Sequence, residues 1–180
     1  KSGVYLLYAD CISLAAHSNI TIRLTDTHDL TTERLYISSH DTGNSVKAIL
    51  FQDSVTFVRF TSLNVLPGYL LVGKLLEVIN KYKINVISMA SSNVSISMVI
   101  SASPDTLRIV QKELHKYAEM VIDENMSVIH IIGSLHWQRT QVESHIMNTI
   151  KDIPISQISY GGSDQCFTLS VHTTDKNRLI

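Results

Sequence analysis

Hydrophobic positions change period several times between Val55 and Ile100, and the changes divide that stretch into elements. Val55-Thr56-Phe57-Val58-Arg59-Phe60 alternates with the two-residue period of a half-buried strand. Pro67-Gly68 punctuates a turn over Asn64 to Gly68. From Leu70 to Tyr82, the residues Val72, Leu75, Leu76, Ile79 and Tyr82 recur three and four apart, which stacks them on one helical face. Two more strand-like runs, Ile84 to Met89 and Val94 to Ile100, are joined by the turn Ala90-Ser91-Ser92-Asn93. Ser103-Pro104-Asp105 then supplies a serine cap, a proline at the first helical position and an acid in the first turn. The helix it opens, Asp105 to Ala118, buries Leu107, Val110, Leu114 and Tyr117 by the same spacing.

A second copy follows. Ser127 to Ile132 reads as a strand, Arg139 to Ile150 as a helix, and Ile153 to Tyr160 and Phe167 to His172 as strands. Ile84-Asn85-Val86 lies over Ile153-Pro154-Ile155, and the helix start at Asp105 over that at Thr174-Asp175. A repeat this long means two copies of one small domain rather than a solenoid. Strands separated by a four-residue turn cannot be parallel neighbours. The expected fold is therefore α+β: two ferredoxin-like βαββαβ modules, each an antiparallel sheet with helices on one face. Asp123-Glu124-Asn125 is the polar joint between them.

The front of the chain has no counterpart in the repeat. Val4 to Asn19 predicts a helix with Ile12, Ala15 and Ala16 on one side, and Ile20 to Leu24 a short strand. Thr25 to Asn44 turns polar around Tyr36-Ile37 and marks the domain boundary, before another short strand at Val46 to Leu50. Lys1-Ser2-Gly3 opens the chain without Met, and the last predicted helix stops after about two turns, too few to hold itself. The expectation is a piece of a longer protein.

Composition narrows the chemistry. The chain is 44% hydrophobic with a net charge of −1, and no Lys/Arg stripe advertises a nucleic-acid partner. No apolar run approaches the ~20 residues of a membrane span. Cys11 and Cys166 form no CxxC pair, which fits a reduced, cytoplasmic compartment. The eight histidines are scattered with no HExxH and no zinc-like spacing, so no metal ligand and no catalytic residue is assigned. Phosphate-binding glycine loops and a GxSxG elbow are absent, and Gly161-Gly162-Ser163 is a tight turn between strands. His136-Trp137 packs at the module interface or walls a ligand. What remains is the loop before the first helix of each module, Ser62 to Tyr69 and Ser134 to Gln138. Unsatisfied N–H groups at a helix start attract a carboxylate, so a small amino acid could dock there; the plainer reading is a capped helix start.

Ser62-Leu63-Asn64-Val65-Leu66, Ile84-Asn85-Val86 and Ser92-Asn93-Val94-Ser95 resemble the first ACT domain of aspartate kinases. Tyr160-Gly161-Gly162-Ser163 is similar to the end of their second ACT domain, and Leu14-Ala15-Ala16 through Ile20-Thr21-Ile22-Arg23 to the tail of their kinase domain. The resemblance implies residues 1–45 as a kinase-domain tail and linker, 46–122 as a first ACT domain and 123–180 as a second, with strand 46–50 joining the second module's sheet. It implies an enzyme that phosphorylates aspartate with ATP and magnesium, both held outside this fragment, which carries no cofactor. It also implies a homodimer through ACT contacts and an amino-acid effector, lysine or threonine. The effector positions that correspond are Val65, Leu70, Leu71, Val86, Ile87, Ser92 and Asn93. Lysine-sensitive members usually carry Gly-Phe where Leu70-Leu71 stands, an acid at Ile87 and a Glu at Asn93. The alternative is an ACT-like interaction module that dimerises and binds no small molecule.

Overall fold

A computed structural model describes residues 8–24, 35–38, 46–63, 67–135 and 140–179. Two compact units result, residues 1–44 and 45–180. In the first, helix α1 (Ala9–His17) is followed by strands β1 (Ile22–Leu24) and β2 (Leu35–Ile37). β1 and β2 pair antiparallel with Arg23 opposite Tyr36. Tyr36-Ile37, inside the stretch expected to be a polar boundary, is thus a strand. Asn19 takes a φ of 54° and closes α1, with Ile20 N–H donating to Ala15 O at 2.8 Å.

The second unit runs β3 (Val46–Ser62), α2 (Gly68–Lys81), β4 (Asn85–Ser91), β5 (Ser95–Ser101), α3 (Pro104–Leu114), β6 (Ala118–Gly133), α4 (Thr140–Ile150), β7 (Ile155–Ser159) and β8 (Cys166–His172). A 3-10 turn, Thr173–Arg178, follows where an α-helix was expected. Every strand pair is antiparallel, in the order β4-β5-β3-β6-β8-β7. Exchange of β3 with β6, β4 with β7 and β5 with β8 leaves that order unchanged, which is the sequence repeat written as a sheet.

The halves interleave because β3 and β6 each serve both. Thr56 to Thr61 of β3 pairs with β5, and the same strand's first residues pair with the far end of β6, Val46 opposite Gly133 and Leu50 opposite His130. The Val46–Leu50 strand therefore lies in the sheet of the second half. β6 also begins at Ala118, inside the stretch expected to be helix, and Asp123-Glu124-Asn125 is an irregularity within a strand rather than a linker.

Each half has its own core. Val58, Phe60, Ile96, Met98 and Ile100 on the sheet meet Leu71, Leu75 and Val78 of α2 and Leu107, Val110 and Leu114 of α3. In the other half, Ile129, Ile131, Phe167, Leu169 and Val171 meet Ile146 and Ile150 of α4. The buried face of α2 is rotated from expectation: Leu71 is fully buried and Leu76 is 45% exposed. A Schellman ending terminates α2, with Lys83 at a φ of 51° and Ile84 N–H donating to Ile79 O at 3.0 Å. The serine cap of α3 forms as its sequence predicts, Ser103 Oγ accepting from Thr106 N–H at 3.3 Å.

Candidate functional site

The end of β3, the start of α2 and the β4–β5 turn come together on the first half. Ser62 N–H donates to Val94 O at 2.8 Å, which ties the end of β3 to that turn. The turn is set by one side chain: Ser92 Oγ accepts from Ser95 N–H at 3.1 Å and from Val94 N–H at 3.3 Å, while Ser92 N–H donates to Ser95 O at 2.8 Å. Against it stands α2, whose first residue, Gly68, packs on the Asn93 backbone. A Cβ on Gly68 would overlap the Asn93 carbonyl oxygen and stand 3.0 Å from its carbonyl carbon. Glycine is required here by close approach rather than by dihedral angle.

A cavity of about 480 Å³ opens at this junction, lined by Gly68, Tyr69, Val72, Ser91, Ser92 and Asn93. α2 starts from Pro67 with no side-chain cap and no acid in its first turn. Leu70 and Leu71 N–H both donate to Pro67 O, while the N–H groups of Gly68 and Tyr69 have no partner among the described residues; with the positive end of the helix dipole they make a place for a carboxylate. Hydroxyls, an amide and a phenol line the rest, and none of the six lining residues is charged. The nearest acid on α2 itself, Glu77, pairs with Lys74 at 2.9 Å.

Of the positions expected from the sequence, Ser92 and Asn93 line this cavity. Leu71 and Val86 belong to the first core, and Ile87 packs against Val55, Phe57, Val99, Met126 and Val128. Leu70 is 46% exposed beside the cavity's Tyr69, and Val65 lies outside the described residues. Gly68 and Tyr69 take the place given to Leu70-Leu71. The signal was present: a glycine followed by an aromatic at a proline-marked helix start.

In the second half, described side chains beside α4 leave no comparable cavity. Leu135, Val142, Ile146, Tyr160 and Phe167 close on one another there. Tyr160 Oη donates to Leu135 O at 3.1 Å, and its ring centroid stands 5.3 Å from that of Phe167. Of the second candidate loop, His136, Trp137 and Gln138 lie outside the described residues. Elsewhere, polar side chains serve structure. His130 Nδ1 and Thr168 Oγ1 are 3.1 Å apart, and burial pushes the imidazole pKa down. Cys166 Sγ is 3.4 Å from the same hydroxyl, and both cysteines are free thiols. Among the described residues no group of three His, Cys, Asp or Glu side chains is placed to hold a metal ion. No described helix is long and apolar enough to cross a membrane.

No family model matches the chain. It is similar to the chloroplastic aspartokinase 3 of Arabidopsis thaliana, 25% identical over 190 residues that include 99% of this chain and 34% of the plant protein. This chain thus spans about a third of that relative. A solved structure assigned as a C-terminal regulatory domain of aspartate kinase from Porphyromonas gingivalis is 28% identical, with a TM-score of 0.67, covering 76% of this chain and 93% of that one. E. coli aspartokinase III, solved in complex with lysine and aspartate, superposes with a TM-score of 0.81 at 19% identity over 97% of this chain and 40% of its own. In sequence and in fold, this chain is similar to the C-terminal regulatory region of aspartate kinases.

Proposed function

We propose that the cavity between Gly68 and Asn93 is the effector site of an aspartate kinase's regulatory region, and that it takes a small amino acid with an uncharged side chain. The uncharged lining carries this reading. An α-carboxylate gains at the uncapped start of α2, while the Ser91 hydroxyl and the Asn93 amide offer partners to an ammonium and a polar side chain, the Ser92 hydroxyl being committed to the turn. A second, terminal ammonium would find no carboxylate among these residues, which favours threonine over lysine. E. coli aspartokinase III was solved with lysine, so the preference is a difference within one fold.

In the same proposal the parent enzyme transfers a phosphoryl group from ATP to aspartate, with magnesium, on residues outside this chain. The effector acts by binding two arrangements of the regulatory region with different affinity. The chain pairs with a second copy through its ACT-like halves, and a cytoplasmic setting fits its free thiols.

Isothermal titration of the 180-residue protein with threonine, lysine and methionine tests the site. Threonine is expected to bind in the millimolar range or tighter and raise the melting temperature, with lysine at least tenfold weaker. No heat and no shift from any of the three would favour a module that binds protein alone. Exposed Tyr69, Leu70 and Val94 around the cavity would then be its contact surface.

A further inference from the structure

At the crossing between the halves, β3 and β6 are irregular in opposite senses. Asp53 and Ser54 of β3 stand against Ser127 alone, between the pairs Gln52–Val128 and Val55–Met126. Thr56 then stands against Glu124 and Asn125, before Phe57 meets Asp123. Ser54 and Asn125 have φ values of 58° and 59°, left-handed conformations for residues with a Cβ. Two adjacent bulges with such residues form a pivot in the strands that the halves share.

The 3-10 turn lies on this pivot. Lys176 Nζ donates to Asp53 Oδ2 at 2.6 Å and sits 5.3 Å from the Phe51 ring centroid. Ser127 Oγ, fully buried, donates to Asp53 Oδ1 at 2.7 Å. Thr173 Oγ1 donates to Asn125 O at 2.6 Å. Both bulges are therefore held from one six-residue segment. Beside the bulges, β7 and β4 are joined by a side-chain bond, Gln157 Nε2 donating to Ser88 Oγ at 3.2 Å. Gln157 Oε1 and Ser170 Oγ are buried with no hydrogen-bond partner among the described residues. The apolar cluster between the halves, centred on Val55, Phe57, Val99, Met126 and Val128, is smaller than either half's own core. A weakly satisfied contact beside a double bulge is the kind of junction that shifts while the cores stay intact.

We infer that Thr173–Arg178 is a clasp that fixes the angle between the two halves at the Ser54/Asn125 pivot, and that releasing it loosens the pivot without unfolding either half. The clasp rests on the strand register and bonds alone, so it stands or falls independently of the effector site.

Hydrogen exchange of the 180-residue protein, read by mass spectrometry, tests this with Lys176→Met, Asp53→Asn and the exchanged pair Asp53→Lys/Lys176→Asp. Met keeps the packing on Phe51, and Asn keeps the shape of Asp53. Each single variant is expected to exchange about tenfold faster over 50–57 and 121–128, with α2, α3 and α4 unchanged. The exchanged pair should recover part of the protection, because the ion pair returns while Ser127 Oγ loses its carboxylate acceptor. Unchanged exchange at the pivot in both single variants overturns the clasp, and so does uniform acceleration across all helices or loss of the fold in both.

Discussion

Gly68→Ala and Gly73→Ala are the same chemical change five residues apart in one helix, and the structure gives them opposite signs. At Gly73, which is exposed inside α2, an added Cβ meets no atom within 4 Å. Alanine there gains helix propensity of up to about 1 kcal/mol. At Gly68 the methyl would run into the Asn93 backbone, a carbonyl that cannot rotate away as a side-chain tip can. Overpacking of this kind costs about 1–3 kcal/mol. Part of that is offset by propensity, which leaves a net loss of about 1–2 kcal/mol. For a unit of this size the melting temperature should fall by about 3–10 °C for Gly68→Ala and rise by a few degrees for Gly73→Ala. Calorimetry of the two variants under one buffer decides it. If Gly68→Ala proves as stabilising as Gly73→Ala, the helix start does not touch the turn and the cavity has been drawn from the wrong contacts.

Lys83 sits in the left-handed region at the end of α2, so Lys83→Gly should stabilise by about 1 kcal/mol, seen as a higher urea midpoint at unchanged slope. The Lys176 hydrogen bond first, and then that of Ser127, hold the Asp53 carboxyl below its ordinary range. That contribution is present above about pH 4 and is lost as pH falls through the lowered value, so the stability gap between wild type and Asp53→Asn should narrow from pH 6 to pH 2. A constant gap across that range would show that the charge plays no part. Gln157→Met removes one neutral hydrogen bond along with a buried acceptor that has no partner, and should change stability by less than about 1 kcal/mol. Ser88→Ala strands the Gln157 amide and should cost more, so a reversed order in denaturation would contradict the packing described between β4 and β7.

Most of the fold was legible because the hydrophobic period switches cleanly: alternation over Val55 to Phe60, three- and four-residue steps over α2, and a repeat that reappears as a palindromic strand order. The long β6 was not. Its first part, Ala118 to Asn125, is an edge with exposed Glu119, Val121, Asp123, Glu124 and Asn125, and a strand with one wet face carries few apolar residues to count. Leu71 and Leu76 lie about 140° apart around α2, on either side of the buried Leu75, so an apolar stripe through Leu75 can be extended towards either by spacing; burial is decided by which side β5 and α3 approach. At the proposed site, Ser92 and Asn93 are positions that the resemblance marks and that line the cavity, whereas Gly68 and Tyr69 line it without being marked in the sequence. Their role depends on a backbone contact with Asn93 across 25 residues of chain, which no local pattern records.

Amide chemical-shift mapping of the labelled 180-residue protein tests the central claim most directly. Titrated threonine should move the backbone resonances of Gly68, Tyr69, Ser91, Ser92 and Asn93 saturably and leave those around Leu135 and Tyr160 in place, because the side chains described there leave no room for a ligand. Shifts confined to the second half, or lysine moving the first-half set at lower concentration than threonine, would contradict the account.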